Sequence, residues 1–244
     1  MPPSRHRVVH PRVLYVGTPA FLVASENDDA TFNLAPASSY WALGQLMVLG
    51  LESDGQTIEN LKKRPELTVS FPSPDHWQAV ERLAEVTGRR IVPDSKAERY
   101  RHVADKFAHA GLHPDESELV APPRVRECAL QFEAKVRRIT EGVDGGYYLV
   151  EAEVVRVHAD PRILVPGTDR IDPQQWAPIV FSFRHYFGIG EPLGARGTGA
   201  VESLAADGGD EACWLPRVCT ACGALVEGDL PSPCWRCGEL VGVS

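Results

Sequence analysis

The segment Cys128-Ala-Leu-Gln-Phe-Glu-Ala-Lys-Val-Arg137 decides how the rest of the chain is read. Cys128, Leu130, Phe132, Ala134 and Val136 alternate with Gln131, Glu133, Lys135 and Arg137. A period of two puts the apolar set on one face of a strand and the polar set on the other, which predicts a half-buried strand. Val143-Asp-Gly-Gly146 then supplies turn residues, and Tyr147 to His158 returns as an apolar, β-branched run. Together these pieces predict an antiparallel hairpin.

Further strand candidates lie outward from the hairpin: Val13 to Ser25, interrupted by Gly17 and Pro19, then Gln45 to Leu51, Leu67 to Phe71 and Ile179 to Phe187. Helices are fewer. Pro74 to Thr87 sets Trp77, Val80, Leu83 and Ala84 on one face, with Ser73 as N-cap, Pro74 in the first turn and Gly88 as the stop. A shorter helix starts at Thr57, carries Ile58 and Leu61 inward, and ends at Lys62, Lys63, Arg64 and Pro65, where cations suit the dipole. Many strands and few helices predict a mainly β fold with helical insertions, a closed or partly closed barrel.

The 244 residues suffice for one large domain and a small one, and 43% hydrophobic residues can build a substantial core. A formal net charge of −8 argues against general binding to nucleic acid or anionic membranes. Arg217 and Arg236 lie near the end of the chain, but Asp207, Asp210, Glu211, Glu227 and Asp229 surround them, which weakens a nucleic-acid reading further. Met1 to Arg12 lacks the apolar region of a signal peptide, and no apolar run approaches membrane-spanning length. The expectation is a soluble, cytoplasmic protein without a membrane partner. The expected division is a main domain over 1–195, a linker rich in Gly, Ala, Asp and Glu over 196–212, and a small module over 213–244.

That module carries Cys219-Thr-Ala-Cys222-Gly223 and Cys234-Trp-Arg-Cys237-Gly238, with eleven residues between the two pairs. A C-x-x-C-G turn aims two sulfurs at one point, and its glycine permits the backbone that turns N–H groups toward the thiolates. Two such turns make Cys219, Cys222, Cys234 and Cys237 the ligands of one tetrahedral metal; the alternative is a pair of disulfides or four unrelated thiols. Four thiolates suit zinc and iron alike. Cys128 reads as a core residue and Cys213 as a bystander. His109 and His113 have the spacing of a helical metal pair, but Gly111 and Pro114 interrupt such a helix.

Two segments stand out as ligand-binding candidates. Asn33-Leu-Ala-Pro-Ala-Ser-Ser39, followed by Tyr40 and Trp41, sets small and hydroxyl-bearing residues beside aromatics, a shelf for a flat ligand with Pro36 fixing a turn. Gln56-Thr57-Ile-Glu-Asn60 opens a helix, whose free N–H groups and dipole attract phosphate. Read from the residues alone, both segments are better taken as ordinary turn and capping residues, since polar residues are common in turns.

Taken in order, Pro19 to Ser25, Asn33 to Ser39, Thr57 to Asn60, Asp105-Lys106-Phe107 with Gly111-Leu112, and Val125 to Val136 resemble the flavin reductase family, the flavoredoxin-like proteins with an FMN-binding split barrel. The resemblance spans about residues 10 to 190. It implies an FMN-binding split β-barrel, followed here by the small four-cysteine metal ribbon. It further implies a homodimer with each FMN in a groove near the interface. Asn33, Ala35, Ser38 and Ser39 would contact isoalloxazine, ribityl or phosphate, and Thr57 and Asn60 would hold the phosphate end. Ser25 is a further candidate, and Lys106 suits a flavin contact and a barrel salt bridge equally. His185, beside Tyr186 and Phe187, suits a nicotinamide contact or a packed histidine.

The implied activity is that of an FMN-dependent oxidoreductase moving a hydride from NAD(P)H to flavin, with FAD as the alternative flavin. No catalytic triad is expected, because the flavin carries the electron chemistry. The G-x-G-x-x-G signature is missing, so no Rossmann domain is expected to hold the nicotinamide. A flavin-using monooxygenase or an electron-transfer partner would receive the electrons. The competing reading is a non-enzymatic flavin-binding or docking protein. The tail also resembles the short rubredoxin-like modules of rubrerythrin-type proteins: iron there would relay single electrons, whereas zinc would couple metal binding to folding.

Overall fold

The computed structural model describes residues 6–94, 97–193, 219, 226, 230–235 and 238–242. The chain divides into two compact units, Met1–Trp41 with Leu46–Ile189, and Ala42–Gln45 with Gly190–Ser244. The chain first forms β1 (Val16–Pro19), β2 (Phe21–Glu26), β3 (Phe32–Ala37), β4 (Tyr40–Leu43), β5 (Leu46–Glu52), α1 (Gln56–Lys63) and β6 (Glu66–Phe71). A 3-10 turn at Pro74–His76 leads into α2 (Trp77–Ala84), followed by the short β7 (Val86–Thr87), β8 (Arg101–His102), α3 (Lys106–Ala110), β9 (Pro114–Asp115) and β10 (Arg124–Val125). The long hairpin β11 (Leu130–Glu141) and β12 (Tyr147–Ala159) comes next, then β13 (Val180–Ser182) and β14 (His185–Phe187). The tail contributes β15 (Ser232–Pro233) and β16 (Leu240–Val241). Among the described residues no helix is long and apolar enough to cross a membrane.

The main sheet runs β3-β2-β6-β11-β12-β5-β4. Its outermost strands, β3 and β4, are chain neighbours with only Ser38 and Ser39 between them. A sheet whose two edges are joined by two residues must curl until those edges meet, which gives the fold its barrel form. Gly50 of β5 sits against that corner: its N–H donates to the Ser39 carbonyl at 3.0 Å, and a Cβ at Gly50 would lie 2.8 Å from Ser39 Cβ. Only glycine lets the strand pass so close.

Alternation along β2 divides the interior into two cores. Phe21 and Val23 point into the barrel with Met47, Leu49, Ile58, Leu61, Leu67 and Phe71, whereas Ala20, Leu22 and Ala24 pack outward with α2 and α3. A strand buried on both faces reads as an unbroken apolar run, which is how Val13 to Ser25 looks in sequence. The run is nevertheless cut, because β1 leaves the main sheet and pairs with β13 in a three-stranded sheet, β1-β13-β14.

Several expectations are corrected here. The opening segment starts its strand at Leu130, and Cys128 belongs to the outer core with Ala110, Val125 and Ile179. The polar face of β11 is not solvated over its first half, because Gln131 and Glu133 are buried there. Gln131 Nε2 donates to the carbonyls of Val125 (2.8 Å) and Cys128 (2.7 Å), and its Oε1 accepts from Arg124 at 2.6 Å. Residues Asn33 to Ala37 form strand rather than a turned shelf, with Pro36 opposite Leu22. Proline is tolerated because β3 ends the ladder order and can forgo a donor.

The helix expected from Pro74 to Thr87 is shorter. A 3-10 turn takes up its first three residues; within α2, Ala79, Val80 and Leu83 face inward, while Trp77 stays half-exposed beside Tyr186, with ring centroids 6.3 Å apart. Gly88 is not its stop: Val86 and Thr87 have already peeled away to pair with β8. Finally, Ile179 to Phe187 is a hairpin rather than one strand. Its two-residue loop, Phe183-Arg184, has both residues at positive φ (44° and 68°), the geometry for which Asn-Gly is the usual sequence.

Candidate functional site

Antiparallel pairing of β2 with β3 sets Ser25 opposite Asn33. Helix α1 begins after Gly55, which offers no capping side chain, and its buried positions are Thr57, Ile58, Asn60 and Leu61. Spacings of three and four residues put these on one side of a helix. Ile58 and Leu61 enter the barrel core, and Thr57 and Asn60 meet the polar ends of β2 and β3. Asn33 Nδ2 donates to Thr57 Oγ1 at 3.0 Å. Asn60 Nδ2 donates to Ser25 Oγ at 3.0 Å and to Asn27 Oδ1 at 2.9 Å, while Gln56 Nε2 donates to Asn60 Oδ1 at 2.8 Å.

The structure therefore brings Ser25, Asn33, Thr57 and Asn60 into one buried polar cluster. Asn27 completes it and was not among the sequence candidates; a polar residue just past a strand end carries no pattern that would single it out. Asn60→Ala is expected to destabilise the fold by about 1–3 kcal/mol, because Ser25 and Gln56 lose their buried partner. Urea unfolding measures this, and a loss under about 0.5 kcal/mol would show the cluster to be incidental.

The remaining candidates lie elsewhere. Ala35 stands opposite Val23 within β3, and Ser38 with Ser39 forms the barrel corner. Lys106 is buried at the first position of α3, just after Asp105, whose carboxylate caps the helix by accepting from Ala108 N at 2.9 Å. His185 is exposed on β14, with Nδ1 2.9 Å from the Phe183 carbonyl. His109 and His113 are not a metal pair: Gly111 caps α3 in the left-handed region, and His113 Nδ1 contacts Glu127 Oε1 at 2.6 Å. Burial, with the Glu127 carboxylate beside it, pushes the Cys128 thiol well above its ordinary value and leaves it no thiolate character.

A cavity of about 1140 Å³ opens beside the polar cluster, with Asn33, Gln56, Gly88, Arg89, His102 and Asp105 among its walls. Asn33 Oδ1 and Arg89 Nε are both buried without a hydrogen-bond partner. A Cβ on Gly88 would sit 2.4 Å from Asn33 Oδ1 and 3.2 Å from Gln56 Cβ, so a side chain there would drive into the amide. Asp28 and Asp29 also line the cavity. Hydrogen bonds from Lys63 and then Arg64 hold the Asp28 carboxyl below its ordinary value, and the Thr31 hydroxyl and N–H do the same for Asp29. The space matches or exceeds that of ordinary small-molecule pockets, about 300–1,000 Å³. With one buried donor and one buried acceptor unused, the residues fit a flavin nucleotide, which brings hydroxyls and phosphate oxygens together.

In the tail, Cys219 and Cys234 are buried against Val226, Val241 and Leu230. Cys234 N donates to the Glu239 carbonyl at 2.7 Å, Gly238 N donates to the Cys234 carbonyl at 2.9 Å, and Gly238 has a φ of 80°. Gly238 is thus in the left-handed region, with its N–H on a carbonyl rather than on a thiolate. Cys213, Cys222, Cys237 and the expected linker 196–212 lie outside the described residues. Among the described residues no group of three or more His, Cys, Asp or Glu is placed to hold a metal.

The barrel with a nucleotide-sized cavity beside its first helix defines a class of protein. The chain belongs to the flavin reductase family, whose model, described as flavin reductase like domain, matches residues 13–190. It is a flavin-related oxidoreductase by that membership, with FMN or FAD as its cofactor. The uncharacterized protein YdfE of Bacillus subtilis (strain 168) is 35% identical over 192 residues, covering 78% of this chain and 92% of YdfE. Flavoredoxin of Desulfovibrio vulgaris (Miyazaki F) superposes with a TM-score of 0.67 at 23% identity, over 79% of this chain and 98% of that one. Nitrilotriacetate monooxygenase component B from Bacillus cereus superposes with a TM-score of 0.60 at 21% identity, over 74% of this chain and 88% of that one. At these identities the two structures establish a common fold.

Proposed function

We propose that this chain is an FMN-dependent oxidoreductase that moves a hydride from NAD(P)H to flavin. The observation that carries the reading is the coincidence of three features in a member of this family: a buried polar cluster, a nucleotide-sized cavity against it, and two buried polar atoms with no partner. When bound, the flavin supplies the two-electron acceptor chemistry. The protein's part is to hold and to exclude water. Thr57 Oγ1 already accepts from Asn33, which leaves its hydroxyl proton to donate to a phosphate oxygen. The unpaired N–H groups opening α1 add the positive end of the helix dipole. Asn60 acts by holding Ser25 and Gln56 in place. Ala35, Ser38, Ser39 and Lys106 are proposed as further flavin contacts, and His185 as a nicotinamide contact.

The proposal extends to a homodimer, to the division at 1–195, 196–212 and 213–244, and to one zinc or iron bound by Cys219, Cys222, Cys234 and Cys237. A flavin-using monooxygenase is the proposed electron acceptor, on the strength of the fold shared with a protein named as a monooxygenase component. Absorption spectroscopy tests the activity. Protein mixed with FMN without oxygen is expected to lose its blue absorbance when NADH or NADPH is added. A complex that stays yellow with both nucleotides would establish a flavin-docking protein instead. Added visible absorption from a ferric thiolate would identify iron in the tail.

A further inference from the structure

We infer that the small sheet β1-β13-β14, with the segment leading into it, is a docking face for a protein whose own surface is acidic around an apolar centre. The face is built from other residues than the cavity and does not depend on what the cavity binds.

Two stretches far apart in sequence build it. Residues 1–25 and 173–190 hold Arg5, Arg7, Arg12 and Arg184, no lysine, and none of the chain's 33 Asp and Glu. β1 pairs with β13, and Phe183 N donates to the Tyr15 carbonyl at 2.8 Å, so the fold sets the two stretches side by side. A formal charge of +4 is thereby gathered in one place on a chain of net −8, which leaves −12 for everything else. Exposed arginines elsewhere are neutralised locally: Arg126, Arg137, Arg138, Arg156 and Arg162 each meet a carboxylate. Arg7, Arg12 and Arg184 are exposed, and among the described residues no carboxylate meets them.

The sheet supplies apolar surface beside these cations. One of its faces is spent on the outer core, through Phe181 and Tyr186. Strand alternation and register put Val16, Val180 and Phe187 on the opposite face. Val16 is 72% exposed and Phe187 54% exposed, and Leu14, just before β1, is 75% exposed. Arginine next to exposed aromatic and aliphatic side chains is the composition of a protein interface. The unpaired cations select a partner of opposite charge and steer its approach. An extended polyanion such as nucleic acid or an anionic bilayer would also meet the −12 of the remaining chain and be repelled by it. A compact acidic protein surface avoids that repulsion.

The probe is a fluorescein-labelled peptide, Glu-Leu-Glu-Trp-Glu-Leu-Glu, titrated with the full chain and followed by fluorescence anisotropy. Binding is expected, weakening steeply with added salt, and the same peptide with Gln for every Glu should not bind. The double variant Arg12→Glu/Arg184→Glu should weaken binding by about tenfold or more, and Phe187→Ser by about threefold to tenfold with the salt dependence kept. Both variants should melt at the wild-type temperature and keep the wild-type affinity for FMN. Failure of the wild-type chain to bind the peptide, or binding that survives Arg12→Glu/Arg184→Glu, overturns the docking face. A short DNA duplex or phosphatidylserine–phosphatidylcholine vesicles bound more tightly than the peptide would overturn the protein partner. A chain that binds the peptide but no flavin would sink the proposed function and leave this face standing.

Discussion

Glu133→Ala should lower the unfolding free energy by about 3–5 kcal/mol, because it removes a buried carboxylate and strands the two backbone N–H groups and the His158 ring nitrogen that meet it. The Glu133 side chain has no solvent exposure. Its Oε1 accepts from Glu118 N at 2.9 Å, its Oε2 accepts from Leu119 N at 2.6 Å, and His158 Nε2 lies 2.6 Å from Oε1. One carboxylate thus fastens the loop around residues 118–119 to both strands of the long hairpin, and Arg156 of β12 reinforces it by pairing with Glu118. Burial alone would raise the carboxyl's affinity for a proton. The Glu118 and Leu119 N–H groups and then the His158 ring outweigh it, and the group sits below its ordinary value of 4.5. A depressed carboxyl contributes stability that is complete above its unfolded value and disappears as pH falls through the folded one. Glu133→Gln should therefore differ most from wild type near neutrality and converge on it in acid. Urea titrations at pH 7 and in steps below pH 5 measure both effects. A Glu133→Ala protein within about 1 kcal/mol of wild type at pH 7 would show that the loop docks without this carboxylate.

Removing the proposed metal from the tail should unfold the β15–β16 hairpin while the barrel stays folded. A module of about thirty residues is too short to hold a core alone, and the buried residues described in it are Cys219, Val226, Cys234 and Val241, whereas a structural zinc contributes about 10–16 kcal/mol of apparent binding energy to such modules. Limited proteolysis with and without chelator should show new cleavage between residues 219 and 241. Cys219→Ser should give the same pattern without chelator. Purified protein that contains no metal, or a tail whose digestion ignores the chelator, would rule out the four-cysteine site.

Strands were legible wherever one physical cause set their pattern. The β11–β12 hairpin shows in its alternation and its Asp-Gly-Gly turn, because the outer half of β11 really does face water with Arg138 and Thr140. The buried half was misread as solvated because nothing local announces that Glu133 will meet a loop and a histidine from β12. The hairpin of β13 and β14 was hidden by its loop, where Phe183 and Arg184 take positive φ without the glycine that would have signalled it. In the buried polar cluster, Thr57 and Asn60 were noticeable because they open a helix, and Ser25 and Asn33 only through the family resemblance. Arg89 and Gly88 were not, since a cavity wall far from the first helix in sequence exists only after folding, and an unpaired Nε has no sequence signature at all.

The two longest strands have a further consequence for how the protein behaves at high concentration. β6 covers one flank of β11 only as far as Lys135, and past that point no described strand is hydrogen-bonded there. A bare flank of this kind invites a strand from another molecule to add on, the first step toward fibrils. Here it is guarded by Arg137 and Arg138, each tied to a glutamate of β12, Glu153 and Glu151. A strand adding here would have to desolvate or displace these ion pairs, a cost that disfavours edge-to-edge growth along this margin of the sheet.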